Sequence, residues 1–124
     1  MTARLATTLG ALSAAIAVTL GAFGAHALRS HLEPRDLEIF ETAVRYQMYH
    51  ALALIATGWV LARGGASADL AAWSFLAGTV LFCGSLYLMV ATGQRWLGAV
   101  TPLGGVAFIA GWLMLAMAAW RTES

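Results

Sequence analysis

Within six consecutive positions the chain places Arg45, Tyr46, Gln47, Tyr49 and His50: a guanidinium, two phenols, a carboxamide and an imidazole. His26 lies upstream at the end of a long apolar run. Two histidines on neighbouring helices have the ligand type for a haem or a transition metal. No Cys-x-x-Cys-His, no Glu-x-x-His pair and no third ligand accompanies them, however, and His31 falls outside the apolar core, so neither a metal nor another cofactor is expected. Imidazoles that titrate near neutrality could also serve proton-coupled transport. Membrane-embedded proton sites are usually carboxylates, and the apolar runs contain no Asp or Glu. No nucleophile paired with a base and no phosphate-cradling loop is present, Gly104 and Gly105 being a packing feature, and the chain is read as a non-enzyme. A purely structural role is the plainer alternative. Arg45 follows Glu41 by four residues, the spacing of a helical ion pair, and can snorkel to the interface. Tyr46 and Tyr49 suit an interface, and His50 can bond a backbone carbonyl.

The surroundings of these residues identify their solvent. Of 124 residues, 60% are hydrophobic and 10% charged, with a mean hydropathy of +0.76. Soluble domains carry about 25% charged residues, so this chain cannot cover a water-facing surface. The net charge of +1 offers no footprint for nucleic acid. Composition therefore excludes a soluble domain, a disordered chain and a nucleic-acid binder, and leaves an integral membrane protein. The single Cys83 lies in an apolar run, forms no intramolecular disulfide, and reads as a small hydrophobe.

Residues 5–28, 46–62, 70–94 and 96–120 each lack Asp, Glu, Lys and Arg. About 20 apolar residues cross a hydrocarbon core, and backbone in lipid must bond to itself, so each run predicts a transmembrane helix. The expected fold is an all-α membrane protein, an antiparallel bundle of four transmembrane helices in one domain over residues 1–124, with helices at about 5–28, 35–62, 70–92 and 101–120. Pro34 suits a first helical turn, and Asp36, Glu38 and Glu41 make the start of the second helix an amphipathic segment in the headgroup region. Gly93 is a natural stop, and Thr101 with Pro102 reads as N-cap and first position. Ala25, His26 and Ala27 imitate a signal cleavage site, but the preceding apolar run exceeds the about 7–15 residues of a signal peptide, which predicts a retained helix. Trp59, Trp73 and Trp120 fall at one interface and Tyr46, Tyr49 and Trp96 at the other, an aromatic belt. Orientation stays open, with Arg4, Arg63 and Arg121 on one side and Arg29, Arg35, Arg45 and Arg95 on the other.

Membrane helices associate through small residues that let backbones approach. Ala6, Gly10, Ser13, Ala14, Ala17, Gly21 and Gly24 share one stripe of the first helix. Ala71, Ser74, Gly78, Ser85 and Thr92 stripe the third, and Gly104, Ala107, Gly111 and Ala118 the fourth. The packing glycines are thus Gly10, Gly21, Gly24, Gly78, Gly104 and Gly111. On the second helix, Thr42, Tyr46, Tyr49, His50, Ala53 and Thr57 form a polar face expected to point inward. Leu37, Phe40, Val44, Met48, Ala51 and Ile55 form an apolar stripe expected to face lipid or a partner. An antiparallel hairpin joined near residues 29–34 predicts that His26, Arg45, Tyr46 and His50 cluster at that end, with at least one polar contact among them, because polar groups at membrane depth must find partners.

The segments GAFGAHA at 21–27, FETAVRYQMYHA at 40–51, GSLYL at 84–88 and TPLGG at 101–105 resemble those of domain of unknown function 423. That family comprises small membrane proteins of the bacterial YgdD and vertebrate transmembrane protein 256 type. The resemblance covers nearly the whole chain. It implies a four-helix membrane protein, in the cytoplasmic (inner) membrane when bacterial, and no established activity. It places His26, Arg45, Tyr46, Gln47 and His50 in signature motifs without giving them a role. The leading functional expectation is a non-enzymatic accessory, assembly or scaffold protein acting through helix–helix contacts, its partners the lipid bilayer and a second copy or another membrane protein. The alternative is a small solute or ion carrier whose pathway is lined by Tyr46, Tyr49 and His50, with flux sensitive to pH and lost in His50→Ala.

Overall fold

The computed structural model describes residues 1–122, which contain four helices and no strand. Helix α1 covers Ala3–Leu28, α2 Pro34–Ala62, α3 Ala66–Thr92 and α4 Thr101–Arg121. The Oγ1 of Thr2 accepts from the Leu5 N–H (3.1 Å) and caps α1. Pro34 occupies the first turn of α2, and Asp36 places a carboxylate at the positive end of its dipole. Gly93 ends α3 with φ of 73°, a left-handed conformation that glycine adopts without a Cβ clash.

Thr101 departs from its expected N-cap role. It is the first residue of α4, and its hydroxyl lies 2.6 Å from the Ser85 hydroxyl on α3. A partner on the neighbouring helix has taken the oxygen that would have capped its own. A 3-10 turn at Arg95–Ala99 leads into α4.

Three helical stretches, Ala3–Leu28, Ala66–Thr92 and Arg95–Arg121, are long and apolar enough to cross a membrane. Helix α2 has the length, 29 residues or about 43 Å. Its charged first turns and its inner Gln47 and His50 lower its apolarity below that of the other three.

Two π-turns interrupt the regular pitch, at Leu20–Gly24 in α1 and Thr79–Cys83 in α3. Each widened turn advances the side-chain register of the residues C-terminal to it, because one more residue is spent per turn. The hydroxyls of Thr19 and Thr79 donate to the carbonyls of Ala15 (2.8 Å) and Phe75 (2.9 Å), a back-bonding pattern that accompanies helix distortion.

Helix α1 lies along α2, and α3 pairs with α4, so that α2 is held between α1 and the α3/α4 pair. A Cβ on Gly10 would lie 2.7 Å from the Ala51 carbonyl oxygen and 2.8 Å from Ile55, and one on Gly21 2.9 Å from Val44. One on Gly24 would lie 3.3 Å from the Phe40 ring. The stripe through Phe40, Val44, Ala51 and Ile55, expected to face lipid or a partner, is therefore covered by α1. The third and fourth helices interlock by exchanging rings for glycines. Phe75 sits against Gly111, Phe108 against Gly78, and Phe82 against Gly104. The three contacts keep one antiparallel register, and the Ser85–Thr101 hydrogen bond continues it by a further step.

Candidate functional site

Each polar residue of the sequence cluster points to a different neighbour, because successive residues of a helix are separated by about 100°. Gln47 lies at the centre, 6% exposed. Its Nε2 donates to the carbonyl (3.1 Å) and hydroxyl (3.3 Å) oxygens of Ser13 on α1, and its Oε1 accepts from the Tyr87 hydroxyl of α3 at 2.7 Å. One carboxamide thereby joins three helices. Tyr87 is itself held edge-on against Phe40, with ring centroids 5.7 Å apart.

His50, 4% exposed, turns toward α3 and α4. Its Nδ1 is 2.7 Å from the Tyr46 carbonyl oxygen, and its Nε2 is 3.1 Å from the indole Nε1 of Trp112. A carbonyl only accepts and an indole N–H only donates. The arrangement therefore defines the neutral tautomer with the proton on Nδ1, and both nitrogens are engaged. The imidazole stacks on Phe108 at 3.4 Å between centroids, with the planes 6° apart.

The predicted grouping of His26, Arg45, Tyr46 and His50 forms only in part. His50 does contact Tyr46, through the backbone carbonyl one turn earlier. His26 does not join them: it is exposed in the last turn of α1 and has no hydrogen-bond partner among the described residues, while its neighbour Ala25 is buried. Two causes act together. The π-turn at Leu20–Gly24 rotates the end of α1, and α1 packs on Phe40, Val44, Gln47 and Ala51 of α2 while the His50 ring turns toward α3 and α4. The two imidazoles conceivable as a metal pair are thus not brought together. Arg45 also differs from expectation. Among the described residues it pairs with no carboxylate, and instead its Nη2 donates to the Thr42 hydroxyl at 3.3 Å. The ion pair at this end joins Arg95 to Asp36 at 3.4 Å, tying the α3–α4 connection to the start of α2.

The expected inward face of α2 divides in the same way. His50, Ala53 and Thr57 are buried, whereas Tyr46 and Tyr49 are 37% and 52% exposed. These two tyrosines open onto a groove of about 470 Å³ between α2 and α4, with Phe82 of α3 at one end. His50, Phe108 and Trp112 form its wall, and Gly105 lies at its floor, where an added Cβ would meet nothing within 4 Å. Tyr46 stacks on Phe82 at 4.5 Å and stands edge-on to Tyr49 at 5.7 Å. Neither tyrosine hydroxyl has a hydrogen-bond partner among the described residues.

The residues that sequence reasoning missed are Ser13 as the partner of Gln47, and Tyr87, Phe82, Phe108, Trp112 and Gly105. The interlock did leave a signal. Phe75 and Phe82 are seven residues apart, as are Gly104 and Gly111, which is the repeat of two helices packed along a shared seam.

The described residues are all-helical, with three stretches long and apolar enough to cross a membrane and inner polar side chains that are hydrogen-bonded within the chain, the make-up of an integral membrane protein. The profile described as "Protein of unknown function (DUF423)" matches residues 20–105, and the chain belongs to this family. The UPF0382 membrane protein YwdK of Bacillus subtilis (strain 168) is 48% identical over 113 residues, 90% of this chain and 92% of the relative. A UPF0382 membrane protein of Staphylococcus aureus (strain bovine RF122 / ET3-1) is 45% identical over 113 residues, 91% and 93% of the two chains. One from Staphylococcus epidermidis (strain ATCC 12228 / FDA PCI 1200) is 47% identical over 110 residues, 89% and 90%. No solved structure matches the chain. The relatives are bacterial membrane proteins, and helical spans of this kind fit the cytoplasmic (inner) membrane. Neither the family description nor the relatives' names carries a catalytic activity.

Proposed function

We propose that all four helices cross the membrane as a single domain, and that the protein is a non-enzymatic accessory component which holds a membrane-dissolved small molecule in the groove between α2 and α4. The fourth crossing rests on α2's environment. Its length suffices, and Gln47, His50 and Thr57 are each hydrogen-bonded within the chain, which removes the main penalty for polar groups in lipid. Four crossings put both termini on the same side, and three put them on opposite sides. Single cysteines at Thr2 and Thr122, introduced into a Cys83→Ala background, are expected to react with an impermeant maleimide from one and the same side. Labelling from opposite sides would refute the fourth crossing.

The binding reading is carried by the groove itself, an aromatic-walled concavity of ligand size with two uncommitted hydroxyls. The scaffold alternative drew on the glycine faces, and Gly10, Gly21, Gly24, Gly78, Gly104 and Gly111 all have close neighbours within the chain. A carrier would use the same Tyr46, Tyr49 and His50, but both nitrogens of His50 are occupied, which favours binding over proton-linked flux. Native mass spectrometry after mild-detergent purification is expected to show a bound small molecule near one per chain, lost in Gly105→Leu, which fills the floor. A wild-type protein carrying no more adduct than Gly105→Leu would overturn the reading.

A further inference from the structure

We infer that the end of the bundle where α1 begins and α2 ends binds the phosphate of an anionic phospholipid, in a groove separate from the one between α2 and α4.

This second groove, of about 470 Å³, lies where the first turns of α1 meet the last turns of α2. Arg4, Thr7 and Thr8 line one side, and Ile55, Gly58 and Trp59 the other. A Cβ on Gly58 would collide with the Thr7 hydroxyl oxygen, so the glycine is what lets the two helices close up beneath the groove. The guanidinium of Arg63 lies 4.6 Å from the centre of the Trp59 ring and brings a second positive charge beside it.

The fold leaves the donors here unused. Among the described residues neither Arg4 nor Arg63 pairs with a carboxylate: the ion pairs join Arg95 to Asp36 and Asp69 to the Met1 ammonium. The hydroxyls of Thr7 and Thr8 make no hydrogen bond among the described residues, whereas every other threonine hydroxyl is bonded. Two cations and two hydroxyls suit a phosphate, whose oxygens only accept. No carboxylate lines the groove to receive the ammonium of a zwitterionic headgroup.

The apolar continuation selects a lipid over a soluble phosphate. Leu12, Ala15, Ile16 and Thr19 follow Thr8 on the same face of α1 and line a further shallow groove. Leu12 and Ile16 are more than half exposed, and the Thr19 hydroxyl is spent on the Ala15 carbonyl. From Thr8 to Thr19 the course is about 16 Å, close to half of the about 30 Å hydrocarbon core and so the depth of one acyl chain.

The test is native mass spectrometry of the full chain in mild detergent, titrated with dioleoylphosphatidylglycerol or dioleoylphosphatidylcholine. The glycerol lipid is expected to bind at least about fivefold more tightly, the size of one arginine's attraction to an anionic lipid surface. Arg4→Gln/Arg63→Gln should erase the difference, and Thr7→Val/Thr8→Val should weaken the glycerol lipid by about threefold, one hydrogen bond between membrane groups. The charge-matched Arg29→Gln/Arg35→Gln, at the other interface, should keep the preference. All four arginines are exposed, so none of these variants disturbs the packed interior. Equal affinity for the two lipids, or equal loss in both arginine pairs, would overturn the site. Displacement by millimolar inorganic phosphate would show a soluble anion and overturn the lipid source. Loss of the adduct in Gly105→Leu would move it to the α2/α4 groove and overturn its placement, which keeps this inference separable from the function proposed above. A second measurement needs no variant: phosphatidylglycerol with a diazirine on its acyl chain, in nanodiscs, is expected to label the peptide spanning Leu12–Thr19. Labelling no stronger there than on α3 and α4 would overturn the course of the tail and the lipid reading with it.

Discussion

Among the described residues Gln47 is the one side chain that bonds to two other helices at once, and replacing it tests whether the bundle depends on that junction. Gln47→Leu keeps the volume but removes the acceptor for the Tyr87 hydroxyl and the donor to Ser13. Hydrogen bonds between membrane helices contribute about 0.6 kcal/mol on average and about 1.7 at most. Two connections therefore give an expected loss of about 1–3 kcal/mol, with Tyr87→Phe alone losing about 0.6–1.7. The assay is reversible unfolding in bicelles by steric trapping, arranged as a double-mutant cycle. If the 2.7 Å contact acts as described, the two substitutions are coupled by about 0.6–1.7 kcal/mol, since the second removes a bond that the first has already broken. Additive effects, or a Gln47→Leu protein within about 0.3 kcal/mol of wild type, would refute the reasoning and reduce Gln47 to a tolerated polar residue.

Adjacent glycines should behave oppositely. Gly104→Ala drives a Cβ into the backbone of Phe82 and is expected to destabilise by about 1–3 kcal/mol, whereas Gly105→Ala meets nothing and should stay within about 0.5, as read in the same assay. Trp112→Phe keeps the aromatic contact with Phe75 but removes the donor to His50. The His50 Nε2 resonance in nitrogen-15 spectra should then shift, and unchanged spectra would refute the Trp112 bond. Ser85→Ala breaks the bond to Thr101 that extends the α3/α4 register. It is expected to lower stability by about 0.6–1.7 kcal/mol, and a neutral outcome would show the register to be held by the rings and glycines alone.

Sequence patterning revealed the faces of the helices more readily than their partners. Small residues at helical spacing marked where helices come close: at Gly10, Gly78 and Gly104 a neighbouring backbone approaches, and Gly111 receives the Phe75 ring. The pattern carried no record of which helix fills a gap, so Phe40, Val44, Ala51 and Ile55 read as an outward stripe although α1 covers them. The π-turns were invisible, because no proline marks them and an α-helical wheel assumes a constant 100° per residue. His26 was expected beside His50 from their shared depth at one end of the hairpin, and depth alone does not fix which way a side chain points. Nor could the sequence show that Gln47, flanked by the tyrosines, was the junction rather than His50. Its partners Ser13 and Tyr87 are 34 and 40 residues away along the chain.

The polar groups of α2 show why a helix with weak hydropathy can sit among three strongly apolar ones, and where function is to be sought on it. Thr42 donates to the Glu38 carbonyl and receives Arg45, Gln47 joins Ser13 and Tyr87, His50 joins the Tyr46 carbonyl and Trp112, and Thr57 donates to the Ala53 carbonyl. Each bond answers the demand that a polar group away from water be satisfied, so each is accounted for by folding alone. Among the described residues the hydroxyls of Tyr46 and Tyr49 make no hydrogen bond, and both stand at the same groove. A tyrosine needed only for packing could be a phenylalanine, as Phe75, Phe82 and Phe108 are in the same bundle. Two tyrosines one turn apart, facing an open floor at Gly105, hold the hydrogen-bonding capacity that the fold itself does not use.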